Sequence, residues 1–593
     1  MENGQKLDGE LRLALDAVKL GDSQEGTLQT GYDEEAATWR VIVRYNGDLS
    51  EIEEQIPQIQ AIPLYHGYGI VRVPEALLGQ LAALPQIQYM EKPKEVYFSL
   101  DAGRSVSCIN SVQGNAWQGD IQDRNGLTGK GVIVGIADSG FDITHPAFRN
   151  EDGTTRILAL WEQNGTPDQE NGLFSPEWYR HGAEWTQEQI NKVLDGTWQG
   201  RVRPSADTGR GHGTAVAGVA AGNGAGSQGR RYRGVAVESP LLLVKLGTGN
   251  EGFSRTTEVM EALDYIVRTA QRLQMPVSVN LSYGNNNGAH NGQSLFEGYI
   301  SELAGVWKSV IVIASGNEGD ARHHARVQLQ NDMETVRLAL ASGERSLSMQ
   351  LWKQYVDDFT VFLEAPDGRR QIVEADPGET RRYQLGGTQV LVYYGEPSPE
   401  SLSQEIYFEW IPAAGEMFLP EGVWSILFLP EKIIDGRVEL WLPTIELIGL
   451  STGFLNPSPD TTLTIPSTAD RIITVGAYNS IQDTVASFSG RGNTVDGRSK
   501  PTIVAPGVDV VTAAPGGGYT SQTGTSISAP FVTGSAALMM EWGIVQDNDT
   551  YLYGEKVKAY LMKGARRLPG QQQVPDTTAG WGALCLRDSL PVR

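Results

Sequence analysis

GVIVGIADSGFDITHPAF, residues 131–148, decides the fold. Its first eight residues form a short apolar run that ends on a carboxylate, Asp138, followed by a glycine-bearing turn; a strand buried on both faces has this composition. Comparable runs recur at SPLLLVKL (239–246), VSVNLSYG (277–284), SVIVIASG (309–316) and RIITVGAY (471–478). Helical stretches lie between and after them: GTAVAGVAAG (213–222), TTEVMEALDYIVRTAQRL (256–273) and SISAPFVTGSAALMMEW (526–542). Strands alternating with helices predict an α/β domain, a mostly parallel sheet covered on both faces, with catalytic groups at the carboxyl ends of the strands.

Two other patterns flank and interrupt this one. Before it come TWRVIVRYNG (38–47, strand), LSEIEEQIPQI (49–59, helix), IPLYHGYGIVRV (62–73, strand), PEALLGQLAAL (74–84, helix) and IQYMEKPKEVYF (87–98, strand), the order of a small ferredoxin-like α+β domain. The polar stretch up to residue 35 predicts a loosely held leader. Within residues 325–457 the helices stop. TVRLALAS, LSMQLWK, FTVFLEAP, QVLVYYGE, EIYFEWIP, VWSILFLP and RVELWLP are short, aromatic and β-branched, and predict an inserted all-β sandwich or jelly roll. The expected organisation is a leader (1–35), the ferredoxin-like domain (36–99), the parallel-sheet domain in two parts (100–324 and 458–593) and the insertion (325–457).

Cleaving a peptide with serine needs a hydroxyl, an imidazole to take its proton and a carboxylate to hold the imidazole. Candidates stand in three blocks: GIADSGFDITHPAF around Asp138, GRGHGTAVAGVAAG around His212 and TGTSISAPFVTG around Ser526. His66, His145, His181, His290, His323 and His324 compete for the base role, but only His212 lies between glycines at a helix start. Asp142 rivals Asp138 by spacing, although it falls in the loop beyond the strand.

In their order Asp, His, Ser, these blocks resemble the subtilase family of serine peptidases, and KPTIVAPG (500–507) and ASFSGRG (486–492) extend the resemblance. It implies a triad of Asp138, His212 and Ser526, and an oxyanion hole made by the Asn317 side chain, in IASGNEGD, and the Ser526 backbone N–H. Peptide or protein substrate is expected to add as a strand along GNEGF, with Gly252 and Phe253, and along Ser282, Tyr283 and Gly284 of NLSYG. The ferredoxin-like domain resembles a subtilase propeptide that lies in its own cleft, with self-processing between Ser99 and Leu100. No visible secretory signal, an intact triad and an inserted β domain together resemble the Csp-type clostridial subtilases. That likeness implies activation of a zymogen by limited proteolysis and association with spores, after synthesis in the cytoplasm. The alternative is a scaffold with little activity, its cleft closed by the propeptide.

Charge and composition bound the partners. With 48 Lys and Arg against 71 Asp and Glu, a net charge of −23 repels phosphate backbones and anionic lipid, so neither nucleic acid nor membrane is expected as a partner. The chain has no apolar run of spanning length. No carboxylate cluster has calcium-loop spacing, so no cofactor or metal is read, although calcium sites built from backbone carbonyls leave no sequence mark. Trp352, Trp410, Trp424 and Trp441 raise a carbohydrate-binding role for the insertion, against the ordinary burial of tryptophan in sandwich cores. Cys108 and Cys585, the only cysteines, fit a reducing compartment as buried thiols, and a bridge between them is the other reading.

Overall fold

The computed structural model describes residues 6–9, 11–12, 14–15, 31–33, 36–93, 95–98, 106–113, 126–207, 211–249, 253–374 and 377–591. In the N-terminal domain Thr38–Tyr45 (β1) is central. It pairs antiparallel with Tyr68–Pro74 (β3) on one side and Ile87–Glu91 (β4) on the other, and Gln60–Pro63 (β2) extends the sheet beyond β3. Leu49–Gln55 (α1), capped by Asp48 accepting from the Ser50 N–H at 2.9 Å, and Leu78–Ala83 (α2) cover one face.

The expected strand over 87–98 is two strands. Lys92–Pro93 breaks it, because proline cannot donate to a ladder, and Glu95–Phe98 (β5) leaves the domain's sheet to pair elsewhere. The leader also departs from expectation. Asp8 donates its N–H to the Met90 carbonyl at 2.9 Å, and its carboxylate accepts from the N–H groups of Leu11 (2.5 Å) and Lys92 (2.8 Å). Leu11 and Ala14, three apart and so on one helical face, are buried among Trp39, Val41 and Ile87 of this domain and Leu391, Tyr393 and Tyr407 of the insertion. This segment is therefore packed rather than loosely held.

The main sheet has nine strands, of which seven are parallel and two, Ala183–Thr186 and Thr484–Val485, pair antiparallel. The parallel strands run in the order Ile503–Pro506 (β14), Ile473–Asn479 (β13), Ser309–Ala314 (β12), Val277–Leu281 (β10), Ile133–Asp138 (β6), Leu241–Lys245 (β8) and Ile157–Glu162 (β7). β7 and β14 are strands that the sequence pattern did not single out. On one face Val134 and Ile136 of β6 pack with helices His212–Ala221 (α3) and Thr525–Met540 (α6). On the other, Ile133 and Ala137 pack with Thr256–Arg272 (α4) and Leu295–Leu303 (α5), together with Ile42, Tyr68 and Ile70 of the N-terminal domain. Both faces of every central strand are thus covered, which is why these strands read as continuous apolar runs.

The insertion holds the seven expected strands and four more: His324–Gln328, Arg370–Val373, Thr380–Leu385 and Gly453–Phe454. All four added strands are sheet edges, and two of them, Arg370–Val373 and Thr380–Leu385, are rich in Arg and Gln; at an edge one side lacks a strand partner and the apolar signal fades. A six-stranded and a five-stranded antiparallel sheet enclose one core containing Phe408, Trp410, Trp424 and Phe428. Trp410, Trp424 and Trp441 are fully buried, so they present no stacking surface to a sugar. Of the two readings for the cysteines the bridge holds. A disulfide joins Cys108 to Cys585, beside a 3.0 Å hydrogen bond from the Leu586 N–H to the Ser107 carbonyl.

Candidate active site

Asp138 ends β6, between β10 and β8; the chain leaves β6 toward β7 on one side of the sheet and leaves the neighbouring β10 toward β12 on the other. Crevices form at such a point. His212 opens α3 behind Gly211, whose φ of +83° suits glycine. The next residue also has to be glycine: a Cβ at Gly213 would lie 2.1 Å from the Gly140 carbonyl oxygen and 3.0 Å from the Asp138 Cβ. The helix start is thereby held against the strand end, and His212 Nδ1 lies 2.7 Å from Asp138 Oδ1, both side chains fully buried. The Ser139 N–H donates to the same oxygen at 2.8 Å. A buried carboxylate on Nδ1 fixes the tautomer that leaves Nε2 as the proton acceptor and stabilises the imidazolium once formed.

Asp142 does not compete. It accepts from Thr144 within its own loop and from the Gly516 N–H at 2.8 Å, and these bonds hold its carboxyl low despite the opposing effect of burial. The other histidines have structural partners. His145 bonds the Gly518 carbonyl (2.8 Å), His290 the Leu463 carbonyl (2.7 Å), His323 the Glu318 carboxylate (2.7 Å) and His324 that of Glu439 (2.6 Å). His181 faces Glu261 at 3.3 Å, and His66 lies in the N-terminal domain.

Ser526 is buried in the first turn of α6. Four residues on, Pro530 has no N–H to give the Ser526 carbonyl. The Ser282 hydroxyl, just beyond β10, donates to that carbonyl at 2.9 Å, so the helix start is tied to the neighbouring strand. Asn317, past the end of β12, accepts from the Thr525 N–H (3.1 Å) and Thr525 Oγ1 (3.0 Å) through Oδ1. This orients the amide so that Nδ2 is the end left to donate.

Strand β5 pairs antiparallel on both sides. Val96 and Glu95 oppose Ser254 and Arg255 of strand Ser254–Arg255 (β9); Phe98 and Tyr97 oppose Tyr283 and Gly284 of strand Tyr283–Gly284 (β11). The expected wall residues Ser282, Tyr283 and Gly284 are thus together, with the Tyr283 ring 6.4 Å from that of His212. Burial and the Asp138 charge push the Tyr283 phenol well up, so it stays neutral. Phe253 immediately precedes β9; Gly252, Ser99 and Leu100 lie outside the described residues.

Sequence reasoning missed the insertion's share of this site. Beside the Ser282–Gly284 wall is a pocket lined also by Ala314, Gly316, Asn317, Glu318 and Thr464, and by Thr444 and Glu446 from the insertion's return segment. Its one legible sign is the acidic residue of the NEG triplet, Glu318. Among the described residues no three His, Cys, Asp or Glu side chains gather as a metal-binding set, and no helix is long and apolar enough to cross a membrane.

A sheet with seven parallel strands, a carboxylate–imidazole pair at its switch point and a serine-bearing helix beside them define a subtilisin-like α/β protein. Residues 129–339 and 451–582 match the subtilase family, and residues 5–94 match the Csp protease B prodomain; the chain belongs to the subtilase family. Among solved structures it is similar to the CspB protease of Clostridium perfringens, with a TM-score of 0.72 and 32% identity, covering 82% of this chain and 95% of that one. Curated relatives include the C5a peptidase of Streptococcus pyogenes serotype M18, 23% identical over 486 residues (74% of this chain, 39% of that protein). The PI-type proteinase of Lactococcus lactis subsp. cremoris is 20% identical over 579 residues (90% of this chain, 29% of that protein). The chain therefore spans two fifths or less of the length of these curated relatives.

Proposed function

We propose that the chain is a serine endopeptidase made as a zymogen, with Ser526 as nucleophile, His212 as general base and Asp138 orienting it. Ser526 Oγ attacks the scissile carbonyl carbon as His212 Nε2 takes its proton. The oxyanion accepts from Asn317 Nδ2 and the Ser526 N–H at the positive end of α6. Collapse breaks the C–N bond, the leaving amine takes the proton from Nε2, and water repeats the sequence on the acyl-enzyme. The observation that carries this reading is β5: the domain's own C-terminal strand is paired on both sides as an extended substrate would be. The strand's last residue, Phe98, pairs with Tyr283, next to Ser282, whose hydroxyl bonds the Ser526 carbonyl; this favours self-processing just beyond the strand, which by family resemblance falls between Ser99 and Leu100. By family resemblance the natural substrate is a zymogen activated by limited proteolysis, and the setting a spore. Fluorophosphonate labelling after prodomain displacement tests the chemistry: the wild type labels at Ser526, and an unlabelled wild type contradicts the reading.

The buried ties of the prodomain favour a second reading, a closed scaffold. Arg40 of β1 pairs with Glu258 and Glu261 of α4, and Glu91 of β4 accepts the Leu295 N–H at the start of α5 at 2.8 Å. Turnover of a peptide by the cut but undissociated protein separates the two: none supports the scaffold.

A further inference from the structure

Residues 106–113, ahead of the first strand of the main sheet, form one wall of an open pocket of about 580 Å³, a size typical of small-molecule sites. Another wall is the loop that follows α3, with Arg231, Arg233 and Val235; Phe531 of α6 and Arg587 also line the pocket. Both walls are fixed. Cys108 is bonded to Cys585, and the Ser107 carbonyl accepts the Leu586 N–H at 3.0 Å. In the loop the Gly234 N–H donates to the Gly222 carbonyl at 2.6 Å and the Val235 N–H to the Val219 carbonyl at 3.0 Å, which anchors it on the end of α3. Gln113 Nε2 donates to the Val235 carbonyl at 2.5 Å and ties the two walls together. The pocket's charge is opposite to that of the chain. Three of its described lining residues are arginines and none is acidic, in a protein of net charge −23. Two of the three have other contacts: Arg587 pairs with Asp588 at 2.7 Å, and the Arg231 guanidinium stands 5.6 Å from the centre of the Tyr232 ring. Arg233 differs. It is half-buried, its Nε is shut off from solvent without a hydrogen-bond partner, and no carboxylate among the described residues pairs with it. Burial pushes its guanidinium down, and no neighbouring charge offsets this. Other buried arginines of the chain are matched: Arg40 by Glu258 and Glu261, and Arg156 by the carbonyls of Ser239, Ala147 and Ala221.

We propose that this pocket binds a small organic oxyanion, a carboxylate or phosphate carried on an apolar body, and that the Arg233 guanidinium holds the charged end. A guanidinium offers its N–H groups as a planar fork that matches the oxygens of either anion. A buried cationic donor without an acceptor is destabilising, and an oxyanion in the pocket removes that penalty. Ile109, Val235 and Phe531 give the apolar part of the ligand a surface. Arg231 and Arg587, both exposed, add a positive potential that draws an anion to a protein whose surface otherwise repels it. No residue of the triad lines the pocket, so binding there requires no catalysis and is measured without it.

The test is calorimetric titration of the full chain with benzoate and with phenyl phosphate, in chloride of matched ionic strength. One equivalent of at least one probe is expected to bind saturably, with millimolar or tighter affinity; preference for benzoate assigns the site to a carboxylate, preference for phenyl phosphate to a phosphate. Arg233→Gln is expected to weaken binding by about ten- to a hundredfold, the range for losing hydrogen bonds to a charged group. Arg233→Lys keeps the charge without the fork and weakens it less. Arg233 has no ion pair to lose, so Arg233→Gln is expected to melt at or above the wild-type temperature; the better probe raises the melting temperature of the wild type and leaves that of the variant unchanged. Arg230→Gln removes a cation that pairs with Glu151 at 3.1 Å and does not line the pocket, and it is expected to bind as the wild type does. Failure of both probes to bind, or equal affinities for the wild type and Arg233→Gln, overturns the proposal. Equal weakening by Arg230→Gln and Arg233→Gln shows a diffuse effect of charge and overturns it as well.

Discussion

The Ser282 hydroxyl donates to the Ser526 carbonyl at 2.9 Å, filling the place in the helical hydrogen-bond ladder that Pro530 leaves empty. The nucleophile's backbone is thus held by a strand rather than by its own helix. Ser282→Ala leaves a buried carbonyl unpaired, which costs about 1–3 kcal/mol. The expected result is a fall in kcat of roughly tenfold or more with KM little changed, measured on a neutral peptide. Equal kcat values show that the bond positions nothing.

Asn317 tests the oxyanion hole. Asn317→Asp keeps the Oδ1 acceptor for Thr525 and removes the amide donor. Losing one such donor lowers kcat by about 10²- to 10³-fold in subtilisin, the worked case of this effect. The same loss is expected here, with the melting temperature little changed.

Arg40 is the electrostatic clamp of the prodomain. It faces Glu258 and Glu261 with only 19% of its side chain exposed, and Glu261 is fully buried. Burial raises the Glu261 carboxyl, but the charges of Arg40 and His181 outweigh it and hold the group low. That contribution is present above the ordinary carboxylate range and is lost as pH falls below it. Arg40→Ala removes the cation shared by two buried carboxylates and leaves Glu261 with His181 and Glu258 with Thr257 and Arg255, a loss of up to about 3–5 kcal/mol. The cut prodomain of the wild type is expected to co-elute with the enzyme on gel filtration, and that of the variant to separate.

Acid acts on the insertion's seat. The Trp441 ring is stacked between His290, 4.1 Å away across the domain boundary, and His324 at 4.8 Å. Burial pushes His290 down to about 4. Glu439 is held down to about 2, since its hydrogen bond to His324 and the charges of Arg326 and Arg437 outweigh burial. Unfolded histidine titrates near 6.5, so the unfolded chain binds the extra proton between about 6.5 and 4, and stability falls as pH drops through that window. For His290 alone the loss is about 3 kcal/mol at the acid end. Melting curves at pH 7.5 and 4.5 check this: His290→Gln should show a smaller drop than the wild type.

Legibility followed burial and chemistry. The runs of β6, β10, β12 and β13 are buried on both faces and read as strands at once, and Asp138, His212 and Ser526 stand in blocks whose small residues are required by close packing, as the 2.1 Å clash of a Cβ at Gly213 demonstrates. The break at Pro93 was misread because the apolar pattern runs across it, although a proline in a strand argues against continuity. Glu446 was invisible for a different reason. It reaches the cleft through contacts made by Glu318 and His323, 123 or more residues away along the chain, and no local pattern encodes such a meeting. The disulfide, 477 residues apart, is the same kind of case.

The most direct measurement is the N-terminal sequence and intact mass of the chain purified as wild type and as Ser526→Ala. The account predicts a wild type cut between Ser99 and Leu100, with the mature enzyme beginning at Leu100, and a variant that stays whole. A Ser526→Ala chain cut at that same bond, or a wild type that remains whole while labelling at Ser526, contradicts it.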